Sequence, residues 1–419
     1  MSFWQRIRPF RLRLALLFAV VGPGIITANV DNDAAGITTY SVSGAHYGYS
    51  LLWLMPIITI TLIVVQEMSA RLGVVTGRGL AALIRESIGV RATAWILLIL
   101  VFANIANTVS EFAGVAAAME IFGVNKFISV PIAGILVWFL VVKGNYQRVE
   151  RIFLMASVVY LAYVFSGLLV KPDWNEVAMS MVTPSIRFDP GYLAMAITMI
   201  GTTISPWMQF YQQSAIVDKH LKISDYAYER ADVIIGSIFA VFVATFIILT
   251  CAATLHVNGI HIESAKDAGL AFGPLAGKYA ETLFVVGLLN ASVFAAAILP
   301  LSTAYVVCEA FGWENGVNNE WKQAPVFYIV YTLLIVIGAG VILLPIKSLI
   351  QAMMWSQTLN GILLPLILIV MLRLINDKHL MGKHINGKLL NVISIIVVAA
   401  LIILTIFLLA SSVAPGLLN

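Results

Sequence analysis

Long apolar runs follow one another along the whole sequence and are separated by short polar loops. Each run holds about 20 residues or more, enough for an α-helix to cross the hydrocarbon core of a bilayer. The pattern predicts an all-α polytopic membrane protein. Its eleven predicted spans are 13–45, 49–71, 93–122, 126–143, 150–170, 191–219, 231–255, 279–310, 325–344, 347–373 and 389–412.

Two of these spans carry polar and small residues in the middle of the apolar run. In the first span they lie between Asn29 and Gly36, and in the sixth between Gly201 and Pro206. A proline in a helix lacks an N–H group, and its ring displaces the carbonyl one turn earlier. Freed backbone groups cannot face lipid, so they must face protein, water or a ligand. We therefore predict that both helices are unwound near the middle of the membrane.

The two interrupted spans are five helices apart, which is typical of two five-helix repeats with inverted topology. The predicted repeats are 13–170 and 191–373, and residues 389–412 form an extra helix within a single transmembrane domain of 1–419. In such transporters the broken helices meet at the midplane and form the substrate site. The alternative is two helices that kink independently.

The composition agrees with a chain whose solvent is lipid. Hydrophobic residues make up 60% of the chain and charged residues 11%, with a mean hydropathy of +0.95. A soluble chain carries charge on about a quarter of its residues, so we expect no soluble domain. Cys251 and Cys308 lie in apolar runs and are predicted to be buried thiols, and no histidine lies deep in a span.

The basic residues predict the orientation. Lysines and arginines accumulate before the first span and after the second, fourth, sixth and tenth, all on one face of the membrane. By the positive-inside rule that face is cytoplasmic. We expect a multi-pass protein of the bacterial inner membrane, without a cleaved signal, with its N-terminus inside and its C-terminus outside.

Two carboxylates, Asp31 and Asp33, stand about 20 residues into the first span. An acidic side chain at that depth is costly and is a functional candidate by default. The competing interpretation is an aspartate that caps the second half-helix. In a regular helix the two would point about 200° apart, so we expect one of them, Asp33, to face a cation, and the role of Asp31 stays open.

Several motifs resemble those of the NRAMP divalent-metal transporters. They are GPG at 22–24 with GAHYGYSLLW at 44–53, VQEMSARLGVVTG at 65–77, GNYQRVERI at 144–152, and Ser356–Gln357 with Pro365. The resemblance covers nearly the whole chain. It implies a LeuT-like fold and transport of divalent cations into the cytoplasm, usually coupled to protons.

The sequence departs from that family at the metal-binding motifs. Where the family has Asp-Pro-Gly-Asn in the first helix, this chain has Asp33 followed by two alanines and Gly36. In the sixth helix Ser205 replaces the methionine whose thioether binds the metal. Thr202 replaces an alanine whose carbonyl oxygen helps to bind the metal, and Trp207 replaces a histidine.

These departures favour a hard, partly hydrated ion. Thioethers favour transition metals, whereas oxygen ligands suit Mg²⁺, Ca²⁺ or Mn²⁺. Mg²⁺ dehydrates reluctantly and keeps several waters beside one or two carboxylates, which fits a site enlarged by glycine. The pattern resembles the NRAMP-related magnesium transporters, a branch of the family.

Further oxygen donors in the predicted spans complete the candidate metal site. Gln209 follows Ser205 by one turn, Gln357 and Asn360 lie in the tenth span, and Thr27 and Asn29 precede the aspartates. The alternative for the three deep amides, Gln209, Gln357 and Asn360, is interhelical hydrogen bonding. Gln212 and Gln213 are predicted to be the wet end of the sixth span.

Proton coupling is not expected, because the family's sixth-helix histidine is Trp207 here, which cannot titrate. Glu111 in the third span, with Asn104 and Asn107, is either a proton relay or a hydrogen-bonded structural group. We expect uptake of Mg²⁺ driven by the membrane potential.

Three alternatives stay open, and one of them, a membrane enzyme, belongs to another function class. The first is a proton-coupled Mn²⁺ or Fe²⁺ symporter with an altered site. A membrane enzyme would need a nucleophile and base or a pair of aspartates on separate helices, and a sodium-coupled carrier of organic solutes would not place a carboxylate at an anionic substrate. We expect a monomer, with the cation as transported substrate rather than cofactor and no nucleic-acid partner.

Overall fold

The structure, a computed structural model, describes residues 30–143, 157–273, 277–317 and 319–413, and these residues form helices, turns and loops without a strand. The α-helices are α1 Ala34–Tyr47, α2 Leu54–Thr76, α3 Leu80–Ile88, α4 Val90–Ile121, α5 Lys126–Val142, α6 Leu161–Leu169, α7 Trp174–Val182, α8 Pro190–Thr203, α9 Pro206–Asp218, α10 Tyr226–Cys251, α11 Ala265–Gly269, α12 Ala280–Phe311, α13 Pro325–Leu343, α14 Leu349–Ile375, α15 Lys378–Met381 and α16 Lys388–Val413.

Seven described helical segments are long and apolar enough to cross a membrane. They are Leu54–Thr76, Val90–Ile121, Ile223–His256, Ala280–Phe311, Pro325–Leu343, Leu349–Ile375 and Lys388–Leu408. Each corresponds to a predicted span, and the largest shift is that of the seventh, which begins at Ile223 instead of 231. The fourth predicted span is the shorter apolar helix α5. The first half of the first span and the start of the fifth lie outside the described residues.

The predicted interruption of the first span is confirmed. Val30 and Asp31 are helical, Asn32 and Asp33 form a turn and a bend, and a new helix, α1, begins at Ala34. Asp33 has extended backbone angles (φ −69°, ψ −178°), so the chain leaves the helical conformation there. Asn32 and Asp33 are buried nonetheless, which means that the freed backbone faces protein rather than lipid.

The sixth span is interrupted as well. Helix α8 ends at Thr203, Ile204 has non-helical angles (φ −123°, ψ 58°), and α9 begins at Pro206 after an extended Ser205. Proline fits the first position of a helix because the N–H it lacks would have no partner there. A single helix has therefore become two short ones that share a buried break.

The two broken segments meet each other. The hydroxyl groups of Tyr40 in α1 and Thr203 in α8 are hydrogen-bonded at 2.7 Å. Helix α8 also packs tightly on α14, since a Cβ on Gly201 would lie 2.2 Å from the carbonyl oxygen of Gln357 and 2.3 Å from the amide nitrogen of Gly361. Any larger residue at Gly201 would separate these helices. The breaks are thus held against α14 and against each other in the centre of the bundle.

A cavity of about 1560 Å³ enters the bundle from the end where α1 ends and α8 and α14 begin. His46, Pro190 and Lys347 lie at its mouth. Thr198 and Thr358, whose hydroxyls are 2.6 Å apart, line its inner part. Thr198 precedes Thr202 by one helical turn, about 6 Å, so the cavity stops just short of the break in the sixth span.

The opposite end of the bundle is closed around α9. The Ser214 hydroxyl donates to the Glu309 carboxylate of α12 at 2.5 Å, and the Gln213 amide donates to the carbonyl oxygen of Arg78 at 2.8 Å. These contacts fasten α9 to the segment before α3 and to α12. The described structure is therefore open from one side of the predicted site and sealed on the other.

Candidate cation site

Asp33 lies at the start of α1 and faces the protein interior. Its side chain is 5% exposed, and its Oδ1 accepts a hydrogen bond from the Gly36 amide at 2.6 Å. The carboxylate therefore caps the helix, as one of the two interpretations of the sequence proposed. A capping oxygen leaves the second carboxylate oxygen for other partners, so capping and cation binding are compatible here.

A second carboxylate, that of Glu111 in α4, adjoins the same helix start. Its Oε2 accepts from the Ala34 amide at 3.3 Å, and the carboxyl groups of Glu111 and Asp33 interact directly. Glu111 is fully buried. Positive partial charge at a helix N-terminus favours nearby anions, and the start of α1 provides it to both acids.

Gly36 is surrounded by oxygen atoms. A Cβ built on this residue would lie 2.5 Å from the Asp31 carbonyl oxygen, 3.2 Å from Asp33 Oδ1 and 3.5 Å from Thr202 Oγ1. Oxygen atoms from both broken segments therefore converge at this position, which has no side chain. An asparagine in place of Gly36 would collide with the backbone at Asp31.

Several buried oxygens around this point have no hydrogen-bond partner among the residues that the structure describes. They include both carboxylate oxygens of Asp31 and the hydroxyl oxygen of Thr202, which are 2% and 3% exposed respectively. An unsatisfied buried carboxylate is expensive unless a cation or proton accompanies it. These oxygens therefore fit a cation that is bound through oxygen. Asp31 lies close to the site, because its carbonyl oxygen faces Gly36 and its side chain is buried.

Ser205 and Gln209 mainly satisfy the backbone at the break. The Ser205 hydroxyl contacts the carbonyl oxygens of Gly201 at 2.7 Å and Thr202 at 3.1 Å. In the amide orientation that satisfies its neighbours, Gln209 donates to the carbonyl oxygens of Ser205 at 2.7 Å and Pro206 at 2.8 Å. Both side chains keep acceptor lone pairs, yet their hydrogen atoms are directed at backbone carbonyls on either side of the break.

Gln357 and Asn360 belong to a network of amides. Asn360 exchanges hydrogen bonds with Asn107 of α4 at 2.9 and 3.1 Å, and its nitrogen also contacts Gln357 Oε1 at 2.9 Å and Ser205 Oγ at 3.3 Å. Interhelical bonding, the alternative kept open for these amides, is thus observed. The network joins α4, α14 and the break in one polar layer.

The sequence analysis left Glu111 and Asn107 outside the candidate metal site, although the structure places them against it. Their signal was a polar strip at helical spacing in an apolar span, Asn104, Asn107 and Glu111. Asn104 instead bonds Thr303 of α12 at 2.8 Å. Thr27 and Asn29, proposed as further donors, lie outside the described residues.

One expectation about the sixth span is wrong. Gln212 and Gln213 were predicted to be its wet end, but both side chains are fully buried. Helices α2, α3 and α12 pack against α9, so tertiary contacts exclude water from positions that look polar and terminal in the sequence. The prediction of buried thiols at Cys251 and Cys308 is confirmed.

The site therefore offers oxygen from carboxylates, hydroxyls, amides and backbone carbonyls. Nearby thioethers are engaged elsewhere, since Met353 accepts from Thr38 at 3.6 Å and Met199 from Ser43 at 3.2 Å. Among the described residues, no group of three or more His, Cys, Asp or Glu could hold a metal. The oxygen donors of this site favour hard divalent cations over soft ones.

A sequence model of a known family matches residues 24–411 of this chain, a range that contains both breaks and the whole site. Its description is natural resistance-associated macrophage protein-like, Nramp. The chain belongs to the Nramp family. The resemblance of its motifs to NRAMP transporters is thereby confirmed at the level of the family, whereas the magnesium-transporter branch is not.

Two curated Nramp relatives carry the name divalent metal cation transporter MntH. The protein of Deinococcus radiodurans is 30% identical over 310 residues, 70% of this chain and 67% of that protein. The protein of Acidiphilium cryptum is 26% identical over 382 residues, 88% of this chain and 84% of that protein.

Solved structures give the same fold. A manganese transporter of Eremococcus coleocola, crystallised with an aromatic bis-isothiourea compound, has a TM-score of 0.73 at 24% identity, covering 98% of this chain and 87% of that one. A nucleobase-cation-symport-1 family transporter in a closed conformation has a TM-score of 0.57 at 15% identity, covering 95% and 94%. The chain thus has the LeuT-like fold of Nramp proteins, and the repeat boundaries given above stay a prediction.

Family membership also decides the function class. The protein is a multi-pass membrane transporter of divalent metal cations and not an enzyme. Metal ions are its transported substrates rather than its cofactors. The orientation of the termini and the monomeric state stay predictions.

Proposed function

We propose that this Nramp protein carries partly hydrated Mg²⁺ into the cytoplasm without proton coupling, and the resemblance of its site motifs to the NRAMP-related magnesium transporters supports the choice of ion. The observation that carries the proposal is the convergence of oxygen atoms at Gly36, those of Asp33, Thr202 and the Asp31 carbonyl. Mg²⁺ keeps several waters when it binds protein, so it needs few direct ligands, and all of these are oxygens.

The candidate site consists of Asp33, Gly36, Thr202, Ser205, Gln209, Gln357 and Asn360, with Asp31 beside it. In this proposal Asp33 is the charged ligand, and the hydroxyl and amide groups bind the ion directly or through its water molecules. Ser205 gives the site little preference for soft metals, because it presents a hydroxyl group and no thioether.

The driving force would be the membrane potential. A potential of 100 mV is worth about 2.3 kcal/mol per charge, or about 4.6 kcal/mol for a divalent ion. Trp207, which is buried at 2% exposure next to the break, cannot bind or release a proton. With the N-terminus inside, the large cavity would open to the outside and deliver the ion toward Thr202.

The second candidate is a proton-coupled Mn²⁺ or Fe²⁺ symporter. Two observations favour it: the relatives are named for divalent metals and manganese, and Glu111 interacts with Asp33. Both candidates use the same site and differ in the ion preferred and in the co-transported proton.

Reconstitution in liposomes separates these two candidates. With a magnesium dye and a pH dye inside, an inside-negative potential should drive Mg²⁺ entry with no acidification, because potential alone supplies the force. Empty liposomes and a zero-potential sample are the controls. Brisk Mn²⁺ entry with acidification and without Mg²⁺ entry would contradict the proposal and support the symporter.

Ser205→Met should shift selectivity toward soft ions. A thioether at this break favours Mn²⁺ or Cd²⁺ over Mg²⁺, and we expect the uptake ratio to change by about tenfold, equivalent to about 1.4 kcal/mol. Ser205→Ala is the matched control, since it removes the same hydroxyl without adding sulfur. An unchanged ion ranking in Ser205→Met would mean that this position does not face the cation.

A further inference from the structure

Three of the six histidines of the chain lie together at the end of the bundle where the large cavity opens. His46 stands in the last turn of α1 and lines the cavity. His256 ends the helical segment that continues α10, and His261 follows it by five residues. The central site uses none of the three.

The rings of His46 and His261 are in contact. Their centroids are 4.6 Å apart and their planes are inclined by 73°, so the edge of one ring faces the other. Both residues are exposed, so ions in solution can reach them. Histidine is the commonest metal ligand among side chains, and its imidazole suits Zn²⁺, Cu²⁺ and Ni²⁺.

The separation of the two rings suits one metal ion held by both. A zinc–nitrogen bond is about 2.0–2.1 Å long and zinc is usually tetrahedral, which places the centroids of two rings on the same ion about 5 Å apart. The observed distance of 4.6 Å is close to that value. A small rotation of either exposed ring therefore directs one nitrogen of each ring at a shared ion.

The end of α1 that carries His46 is held in place. Gly44 packs so closely on α10 that a Cβ there would lie 2.3 Å from the carbonyl oxygen of Ile248. The ring of His256 donates through Nδ1 to the carbonyl oxygen of Ala45 at 2.9 Å, since a carbonyl oxygen can only accept. These contacts fix the backbone of His46 beside the end of α10.

The loop that carries His261 is ordered as well. The next residue, Ile262, is 5% exposed. Beyond it, the Asp267 carboxylate accepts from the amides of Glu263 and Ser264 at 3.1 and 2.8 Å. The backbone of His261 is therefore positioned before any ion binds, which lowers the entropic cost of binding.

This histidine pair differs from the central site in the ion that it favours. The central site presents oxygen atoms, whereas two imidazole nitrogens favour borderline metals such as Zn²⁺ over Mg²⁺. Since no group of three or more His, Cys, Asp or Glu in the described part of the chain could hold a metal, water completes the coordination of the ion. With two protein ligands, the ion stays exchangeable with the solution.

We propose that His46 and His261 bind a borderline transition-metal ion, represented by Zn²⁺, at the mouth of the cavity, and that the bound ion slows transport. Helix α1 carries Gly36 of the central site, and alternating access moves one part of such a bundle against the other. A metal bridge from α1 to the loop before α11 opposes that movement. Binding of Zn²⁺ to the pair does not depend on which ion the central site carries.

Calorimetric titration of the full chain in detergent with Zn²⁺ tests the binding. Asp33→Ala removes the charged ligand of the central site, and we expect saturable Zn²⁺ binding in this background. Adding His46→Gln or His261→Gln should weaken that binding by about tenfold or more, because losing even a group that supports a metal ligand costs about 10–100-fold in affinity.

His379→Gln is the matched control in the same background. His379 is an exposed histidine of α15, which follows the far end of α14, so this change should leave the Zn²⁺ affinity of the histidine pair unchanged. Equal Zn²⁺ affinity in Asp33→Ala with and without His46→Gln or His261→Gln would overturn the site.

Uptake in liposomes tests the effect on transport. External Zn²⁺ should lower the maximal rate of Mg²⁺ uptake and leave the half-saturation concentration for Mg²⁺ unchanged, because it binds away from the central site. His46→Gln and His261→Gln should each raise the half-inhibiting Zn²⁺ concentration by about tenfold or more, and His379→Gln should not. Inhibition that Mg²⁺ overcomes by competition, equal in every variant, would place Zn²⁺ in the central site and contradict the proposal.

A failure of the proposed function would not prevent this test. If the unmodified protein carries Mn²⁺ and no Mg²⁺, the same Zn²⁺ titration is made with Mn²⁺ as the transported ion. Thermal unfolding in detergent shows whether each variant is folded. If His46→Gln does not fold, His261→Gln decides alone because residue 261 lies in an exposed loop, and unchanged inhibition in that variant overturns the proposal.

Discussion

Asp33→Ala should abolish uptake of divalent cations while the protein still folds in the membrane. Losing the charged ligand of a buried cation costs several kcal/mol, which corresponds to a drop of about a hundredfold or more in uptake. The same change also removes a helix cap, since Asp33 bonds the Gly36 amide, and this should cost about 1 kcal/mol of stability. Uptake in liposomes and thermal unfolding in detergent measure the two effects.

Asp33→Asn separates the two roles of this side chain. Asparagine caps a helix about as well as aspartate but has no charge, so stability should stay near that of the unmodified protein while uptake is still lost. Asp173→Asn is the matched control, because Asp173 caps α7 from an exposed position, and it should transport normally. Normal uptake by Asp33→Asn would show that the carboxylate serves the helix and not the ion.

Gly36→Ala should produce the second large loss. Its Cβ would lie 2.5 Å from the carbonyl oxygen of Asp31 and 3.2 Å from Asp33 Oδ1, so the backbone at the break or the carboxylate must move. Overpacking of this kind costs about 1–3 kcal/mol, and we expect uptake to fall by about ten- to a hundredfold. The initial rate of Mg²⁺ uptake at equal protein density in liposomes is the measurement.

Gly340→Ala is the matched control for this substitution. Gly340 is an exposed residue of α13, and a Cβ there would meet nothing within 4 Å. Alanine should therefore leave uptake unchanged and can stabilise the helix by about 0.5–1 kcal/mol. Equal uptake by Gly36→Ala and Gly340→Ala would mean that the close packing at Gly36 does not shape the ion site.

The comparison of the two broken spans shows how far the sequence alone reaches. The positions of both breaks followed from Pro206, the glycines and the polar residues near Asp33, because helix formation is decided by groups within a few residues of each other. The depth of Asp33 in its span identified it as a site residue for the same local reason. The function class followed from these features and from motifs spread along the chain.

Local pattern could not establish which distant side chains meet at the breaks. Glu111 interacts with Asp33 from 78 residues away, and Asn107 bonds Asn360 across 253 residues. Hydropathy gives the length of a helix and the periodicity of its faces, but its rotation and depth against its neighbours depend on packing. For that reason Gln209, Gln357 and Asn360 could be selected as candidates, while their hydrogen bonds could not be assigned.

The sequence by itself determined that the chain spans a membrane with two unwound helices and an acidic residue at the first of them. The tertiary structure decided that Gly36 lies among oxygens from both breaks, that Asp33 caps a helix beside Glu111, and that Gln212 and Gln213 are buried. The physical reason is one of range. Burial in lipid and helix breaking depend on neighbours along the chain, whereas the partner of a buried polar group depends on which helices pack together.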